Sequence, residues 1–157
     1  MRIYLAGPLG FSEAGRAFHQ TVLKPRIEAL RHETLDPWTL NDPAQITAVA
    51  NLPYGPEKRE RWRALNGRIG RNNTEAIDAC DLVFAVLDGT DVDSGTAAEI
   101  GYAYARGKTI LGYRGDFRLS ADNEGSTVNL QVEYFIHASG GRIITAIAEL
   151  EEALARQ

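Results

Sequence analysis

The sequence predicts an α/β layer fold in which helices cover a mainly parallel sheet of five strands. Two observations lead to this prediction. Short apolar segments that end at glycine, proline or aspartate alternate with longer segments whose apolar residues recur at helical spacing. The chain has 157 residues, of which 44% are hydrophobic and 24% charged, as in an average globular protein. Because strands that alternate with helices usually pair in parallel, we expect a single domain, residues 1–157.

Five segments are predicted to be strands. Residues 3–6 form an apolar run closed by Gly7 and Pro8, a pattern typical of a buried strand that ends in a turn. Residues 81–88 form the clearest buried strand. The other strands are expected at 34–36, 109–113 and 142–145. Right-handed crossovers place the loops that follow these strands at one edge of the sheet, where ligands of such sheets bind.

Residues 12–31 are predicted to form the first helix. Ser12 is placed to cap it, and Pro25 is expected to kink it, because proline has no backbone N–H to donate. The apolar residues at helical spacing in this segment are Ala17, Phe18, Val22, Ile27 and Leu30. Further helices are expected at 57–79, 96–106 (closed by Gly107), 128–138 and 146–156.

The middle of the chain carries two irregular features. Residues 37–57 are rich in proline, asparagine and aspartate and are predicted to be a long loop, which in a small domain is usually functional. In the helix that follows, Gly67 and Gly70 are expected to bend the helix or divide it in two.

Carboxylates gather where the best strand leads into a helix. Glu99 follows three aspartates, which are Asp88, Asp91 and Asp93. We expect Glu99 in the first turn of helix 96–106, where the helix dipole favours the ionised form that nucleophilic attack requires. Two structural interpretations remain open. Thr96 and Glu99 match a capping box, and Asp93 is suited to a helix cap or a turn.

Asn73 is a polar residue on a predicted apolar helix face. It lies four residues from both Ile69 and Ile77. The predicted stripe consists of Trp62, Leu65, Ile69, Ile77 and Cys80. A buried amide must find hydrogen-bond partners, either in nearby backbone or in a functional site.

Composition and cysteine usage narrow the class of protein. A net charge of −4 argues against nucleic-acid polymers and anionic membranes as partners. The one cysteine, Cys80, excludes an intrachain disulfide framework. The three histidines, His19, His32 and His137, lack metal-ligand spacing, and no phosphate or dinucleotide fingerprint is present, so we expect neither metal nor cofactor. With no signal-peptide core or membrane-length apolar segment, we expect a cytoplasmic protein.

Three segments together resemble the nucleoside 2-deoxyribosyltransferase family. They are IYLAGP at 3–8, DSGTAAEIGYA at 93–103 and VNLQVEYF at 128–135, and they occur in the family's order. The resemblance spans most of the chain and is weakest at 37–57. It implies a flavodoxin-like (Rossmann-like) three-layer fold and a role in nucleoside and nucleotide salvage. The implied reaction is a retaining double displacement that moves 2-deoxyribose between nucleobases.

The resemblance also implies roles for individual residues. Glu99 matches the nucleophile that attacks C1′, Tyr4 the tyrosine that holds it, and Asp93 a candidate proton donor to the departing base. Gly7 and Phe11 are implied to bind substrate. Asn129 and Gln131 match positions that a neighbouring subunit contributes, so a homo-oligomer is implied. Asn73, also expected at the substrate, stands where some members carry an aspartate. The implied ligands are 2′-deoxynucleosides and free nucleobases, purine, pyrimidine or both.

Two other functions stay open at this point. A nucleoside 5′-monophosphate N-glycosidase would use the same nucleophile, although the aspartates at 88, 91 and 93 would repel a phosphate dianion. A non-catalytic nucleotide-sensing module would need neither Tyr4 nor Glu99 in these positions.

Overall fold

A computed structural model of the protein describes residues 1–156 and shows a sheet of five strands, all paired in parallel, in the order β2-β1-β3-β4-β5. The strands are β1 (Arg2–Ala6), β2 (Glu33–Leu35), β3 (Leu82–Val86), β4 (Thr109–Tyr113) and β5 (Ile143–Ile144). This is the flavodoxin-like order, so the predicted fold class is confirmed. The order reverses between β1 and β3, and the carboxyl ends of these two strands therefore flank the crevice in which such folds bind ligands.

Seven α-helices connect and cover the strands in the described part of the chain. They are α1 (Glu13–Phe18), α2 (Lys24–Ala29), α3 (Pro43–Ala50), α4 (Pro56–Ala79), α5 (Ser94–Ala105), α6 (Leu130–Ala138) and α7 (Leu150–Ala155). None of the helices in residues 1–156 combines the length and apolar character that a membrane span needs.

Alternate residues of the central strands point into two separate hydrophobic cores, one on each face of the sheet. Tyr4 and Val83 face the layer that contains α4, α5 and α6, together with Ile77 and Ile100. The neighbouring strand residues, such as Ile3, Leu5, Leu82 and Phe84, face the layer of α2 and α7. Side chains of a strand point alternately to opposite faces, so this register directs the side chain of Tyr4 toward α5.

The first helical segment contains a wide turn that moves its buried face. Ser12 caps α1 as predicted and accepts a hydrogen bond from the Gly15 N–H at 2.9 Å. A π-helical turn, His19–Leu23, then joins α1 to α2, where Pro25 has no N–H to continue the ladder. The buried residues become His19, Leu23 and Ile27, whereas Ala17 is exposed and Val22 only half-buried. Of the residues at regular helical spacing, Ala17 and Val22 therefore do not reach the core.

The segment 37–57 is not the uninterrupted loop that its composition predicts. It contains α3, whose N-terminus is capped by the side chain of Asp42, an acceptor for the Ala44 N–H at 2.9 Å. Pro43 occupies the first helical position, where its missing N–H does no harm. Ile46 and Val49 are half-buried, and α3 packs against α4. This packing overrides the loop-like composition.

Helix α4 is continuous over its 24 residues, so Gly67 and Gly70 do not divide it in two. No heavy atom outside the helix's own backbone lies within 4 Å of a Cβ placed on either glycine, so both face open space. Exposed glycines lower helix stability but do not interrupt the hydrogen bonds when packing holds the helix on both sides. Leu65 and Ile77 supply that packing.

Candidate active site

A cleft of about 400 Å³ opens at the carboxyl edge of the sheet, where the strand order reverses between β1 and β3. Five of the residues singled out from the sequence line it together: Gly7, Phe11, Asn73, Asp93 and Glu99. Tyr4 lies beneath it, fully buried in β1. The topology thus assembles one site from the ends of two strands and two helices.

Glu99 is held at one oxygen and free at the other. Its Oε1 accepts a hydrogen bond from the Tyr4 hydroxyl at 2.7 Å and another from Asn73 Nδ2 at 3.4 Å. Within residues 1–156, no donor forms a hydrogen bond with Oε2. The carboxylate is therefore oriented by two side chains while one oxygen remains available to a ligand.

The position of Glu99 in its helix differs from the expectation. Helix α5 begins at Ser94, which places Glu99 in the second turn rather than the first. The cap is Asp93, whose Oδ2 accepts hydrogen bonds from the Thr96 N–H at 3.0 Å and the Thr96 hydroxyl at 3.2 Å. The capping box of Thr96 and Glu99 is therefore wrong, and the interpretation of Asp93 as a helix cap is confirmed.

Burial controls the protonation of the central pair. The pKa of Glu99 is raised above its ordinary value, first by burial and then by the nearby charge of Asp93, while the hydrogen bonds from Tyr4 and Asn73 lower it. The pKa of Tyr4 is raised by burial and by the charge and hydrogen bond of Glu99. Tyr4 therefore stays protonated and acts as a hydrogen-bond donor to the carboxylate.

Asn73 turns its amide nitrogen toward the carboxylate and leaves its oxygen buried. Its Nδ2 donates to Glu99, whereas Oδ1 has no hydrogen-bond partner in the described chain. An amide beside an ionised carboxylate presents N–H rather than oxygen, so this orientation follows from chemistry. The partner of this amide is thus Glu99 and not nearby backbone.

The three aspartates before Glu99 do not gather around the cleft. Asp93 lines it, but Asp88 Oδ1 accepts from the Asp116 N–H at 2.8 Å, and Asp91 Oδ1 accepts from the Val92 N–H at 2.7 Å. These two carboxylates stabilise loop backbone. The expectation that all three would repel a phosphate at the site is therefore wrong.

Asn129 and Gln131 do not line the cleft of their own chain. Asn129 caps α6, where its Oδ1 accepts hydrogen bonds from the Gln131 N–H at 3.0 Å and the Val132 N–H at 3.3 Å. Gln131 is exposed. Neither residue therefore contributes to the cleft of its own chain.

Several residues that line the cleft are not among the predicted site residues: Pro37, Asn66, Ile69, Gly95 and Thr96. Asn66 and Ile69 lie seven and four residues before Asn73 on α4, so helical spacing from Asn73 could have identified them. Trp38, for which stacking on a base and packing were both open, lies in the cleft wall. Its ring meets the Phe11 ring edge to face, with centroids 4.9 Å apart.

Carboxyl groups are the only ionisable side chains that line this cleft in the part of the chain that the structure describes. Its lining contains no lysine, arginine or histidine. No group of three or more histidine, cysteine, aspartate or glutamate side chains is arranged to hold a metal in residues 1–156. The site offers aromatic faces, amides and two carboxylate oxygens without a hydrogen bond in the described chain, Oε2 of Glu99 and Oδ1 of Asp93.

Comparison with known proteins identifies relatives of the whole chain. A sequence model of the nucleoside 2-deoxyribosyltransferase family matches residues 3–131. A search of curated protein sequences found no match.

Three solved structures show the same fold over nearly the whole chain. A conserved protein from Enterococcus faecalis V583 is 24% identical, with a TM-score of 0.71 and coverage of 99% of this chain and 98% of that one. A 2-deoxyribosyltransferase from Leishmania mexicana is 26% identical, with a TM-score of 0.63 and coverage of 99% and 95%. A CMP N-glycosidase from Clostridium botulinum is 19% identical, with a TM-score of 0.55 and full coverage of both chains.

Proposed function

The chain belongs to the nucleoside 2-deoxyribosyltransferase family, and we propose that it transfers the 2-deoxyribosyl group between nucleobases through a covalent intermediate on Glu99. The observation that carries this proposal is the carboxylate of Glu99, whose Oε1 is held by Tyr4 while Oε2 is free at an aromatic cleft. A carboxylate oriented through one oxygen is suited to attack a sugar carbon with the other.

The first half of the reaction breaks the N-glycosidic bond. Oε2 of Glu99 attacks C1′ as the bond to the base lengthens, and the negative carboxylate stabilises the oxocarbenium-like charge that develops on the sugar. The electron pair of the broken bond leaves with the base. The product of this step is a deoxyribosyl ester of Glu99 and a free base.

The second half returns the sugar to an acceptor. A nitrogen of the incoming base attacks C1′ from the face that the first base left, and the ester bond breaks to regenerate the carboxylate. The proton on that nitrogen passes to Asp93 or to solvent, the reverse of the proton delivery in the first half. Two inversions retain the configuration at C1′. If water attacks instead, the products are deoxyribose and free Glu99, and the enzyme acts as a hydrolase.

Departure of the base needs a proton or hydrogen bonds to the base nitrogen. Asp93 lines the cleft and is the carboxyl group closest to this task, although its Oδ2 is engaged in capping α5. Asn73 has no acidic proton, so it supports Glu99 and leaves proton delivery to Asp93 or to solvent.

We also propose that the site is completed by a second subunit in a homo-oligomer. Asn129 and Gln131 match family positions that act across a subunit boundary, and neither lines the cleft of its own chain. The capping contacts of Asn129 fix its side chain at the start of α6, and the adjacent Gln131 is exposed and free to reach a neighbour.

A nucleotide N-glycosidase is the second candidate, because one structural relative is a CMP N-glycosidase. Hydrolysis of a nucleoside monophosphate needs donors for the phosphate, most often arginine, serine and backbone amides. The lining residues of this cleft include no lysine or arginine in the described chain, which favours an unphosphorylated deoxynucleoside.

The test is transfer between two purines. Purified protein is incubated with deoxyinosine and adenine, and nucleosides and bases are separated by chromatography. We expect deoxyadenosine from the wild type and none from Glu99→Ala, with Glu151→Ala as a control on an exposed glutamate of α7. Hypoxanthine without deoxyadenosine would identify a hydrolase. If neither product forms, deoxynucleoside monophosphates are tried next, and cleavage of these would establish the second candidate.

A further inference from the structure

We infer that His19 is a positioning residue for the acceptor base: through Asp36 it fixes the indole of Trp38 as a wall of the cleft, and so favours transfer to a base over transfer to water. The inference rests on the proposed function and deepens it. His19 itself lies outside the cleft lining, so its effect passes through the loop that follows β2.

His19 and Asp36 form a buried pair between two elements. Their side chains meet at 2.9 Å, from His19 Nε2 to Asp36 Oδ2, and the residues are only 5% and 3% exposed. His19 reaches this place because the π-helical turn His19–Leu23 directs it inward, and such turns are frequent at functional sites. Lys24 Nζ lies 3.9 Å from the same Asp36 oxygen. The pair connects the first helical segment to the start of the loop after β2.

Asp36 in turn organises the backbone that carries Trp38. Its Oδ1 accepts a hydrogen bond from the Trp38 N–H at 3.0 Å. Its carbonyl oxygen accepts from the N–H groups of Thr39 at 2.9 Å and Leu40 at 3.0 Å. One residue thus closes the tight turn 36–40 from both its side chain and its backbone. Pro37 and Trp38, inside this turn, line the cleft.

The indole of Trp38 is fixed from the opposite side by the turn 8–11. Gly10 lies against the ring so closely that a Cβ at this position would be 2.1 Å from Trp38 Cδ2. The Phe11 ring meets the indole edge to face at 4.9 Å. The ring position therefore depends on two supports, the backbone held by Asp36 and the ring held by Gly10 and Phe11.

The hydrogen bond between His19 and Asp36 stabilises the first of these supports, the backbone of the turn that carries Trp38. Burial alone would raise the pKa of Asp36. The hydrogen bond and charge of His19, the Trp38 N–H and the Lys24 ammonium outweigh this effect and lower the pKa below its ordinary value, so the carboxylate is ionised at neutral pH. A buried carboxylate that loses a hydrogen-bond partner becomes costly to keep in place. Removing the ring nitrogens of His19 should therefore loosen the turn that carries Trp38 and leave Glu99 and Tyr4 unchanged.

A loosened turn should affect the second half of the reaction, in which the acceptor base attacks the covalent intermediate. A base gains affinity by stacking on aromatic rings, whereas water gains nothing from them. A displaced indole should raise the KM for the acceptor base. The departing base occupies the same cleft, so the KM for the donor nucleoside should rise as well, while kcat for formation of the covalent intermediate at saturating donor stays almost unaffected. The intermediate then reacts more often with water, and the ratio of transfer to hydrolysis falls.

The experiment uses protein in which Trp62→Phe leaves Trp38 as the only tryptophan of the two in the chain. In this background His19→Phe keeps the ring but removes both nitrogens, and His19→Gln restores a donor at about the reach of Nε2. His137→Phe is the matched control, since the side chain of His137 is 53% exposed. Circular dichroism establishes that each variant is folded, and Asp36→Asn replaces His19→Phe if the latter is not.

Two readouts decide the inference. For His19→Phe, or Asp36→Asn in its place, we expect stronger acrylamide quenching of Trp38 fluorescence and a KM for adenine raised about tenfold, the effect of losing part of the stacking of the base on one aromatic ring. The ratio of deoxyadenosine to hydrolysis product should fall, while kcat for release of hypoxanthine stays within about twofold of the wild type. His19→Gln should restore most of the ratio that His19→Phe loses. Unchanged quenching and an unchanged ratio would overturn the inference.

If the wild type makes no deoxyadenosine, the proposed function has failed, and quenching of Trp38 still decides whether His19 positions the indole.

Discussion

Tyr4 and Glu99 are 95 residues apart in the sequence and are joined by a hydrogen bond of 2.7 Å from the phenol to Oε1. The contact forms because β1 lies next to β3 in the sheet, and α5 follows β3 over the face to which Tyr4 points. Residues from the first strand and the fifth helix thus meet beneath the cleft. The reaction that we propose depends on this contact, because it leaves one oxygen of Glu99 without a hydrogen bond.

Replacing Tyr4 with phenylalanine should slow transfer without unfolding the protein. The substitution removes one hydroxyl and leaves Asn73 Nδ2, at 3.4 Å, as the remaining donor to Glu99 Oε1. A hydrogen bond to a charged group contributes about 1.5–3 kcal/mol, so kcat/KM for deoxyinosine should fall roughly ten- to a hundredfold. Loss of the donor should also raise the pKa of Glu99. Steady-state kinetics across pH measure both effects, and a variant with wild-type rate and profile would show that Tyr4 has no role in positioning.

The pH dependence of the wild type should reflect the burial of Glu99. Attack on C1′ requires the ionised carboxylate, and burial raises its pKa above the ordinary 4.5. Activity should therefore be lost as pH falls through this raised pKa, at a higher pH than an exposed glutamate would give. The acid limb of kcat/KM against pH measures the value in the free enzyme. An acid limb at or below 4.5 would contradict the assignment.

The same burial should make Glu99 unfavourable for stability. A carboxyl group with a raised pKa in the folded state is protonated in both states at low pH, where it carries no electrostatic cost. As pH rises through the unfolded and then the folded pKa, the folded state must hold a charge that burial disfavours, and stability is lost.

Glu99→Gln removes this charge and keeps an oxygen that accepts from Tyr4. We expect its melting temperature to exceed that of the wild type at pH 7 by roughly 2–4 °C, the shift that about 1 kcal/mol produces in a chain of this length. The difference should vanish near pH 4. Differential scanning calorimetry at several pH values measures it, and Glu151→Gln serves as control. An inactive variant whose melting temperature does not exceed that of the wild type at any pH would contradict a raised pKa of Glu99.

Much of the fold could be predicted because local patterns and the burial of the central strands agree. The strands β1, β3 and β4 are mostly apolar runs, and nearly all of their residues are buried. Helix α3 was missed because its start signal, Asp42 followed by Pro43, lies in a segment with the composition of a loop. Its packing on α4 is a tertiary effect that composition does not reveal.

The site was less accessible to sequence reasoning. The residue types around Glu99 indicated a carboxylate chemistry, but the contact with Tyr4 was expected only from the family resemblance, since no spacing relates positions in different elements. The pairing of His19 with Asp36 was missed altogether. A π-helical turn shifts the phase of the helix, and a regular periodicity therefore points to Val22 where the structure buries Leu23.

Asn73 provides a test of how the neighbours of Glu99 set its pKa. Asn73→Asp places a second carboxyl group where Nδ2 now donates to Oε1 at 3.4 Å. Two carboxylates at this distance cannot both ionise easily, so they should titrate as a coupled pair, with one apparent pKa higher than that of Glu99 alone. The acid limb of the rate profile should move to higher pH. Asn72→Asp, one residue away on α4, is the control, and an equal shift in both variants would attribute the effect to net charge.

The subunit arrangement can be tested by mixing two impaired variants. If the site combines Glu99 of one chain with Gln131 of another, a hybrid of Glu99→Ala and Gln131→Ala contains one site with neither wild-type residue and one site with both. Gln131 is exposed and does not cap α6, so Gln131→Ala should fold and should lower activity at least tenfold if it binds substrate across the interface. Unfolding the two variants together and refolding them should then restore transfer above the sum of the separate activities, toward about a quarter of the wild-type rate for random dimers. Two variants that show only their summed activity after mixing would place Gln131 and Glu99 in the same chain's site or exclude Gln131 from it.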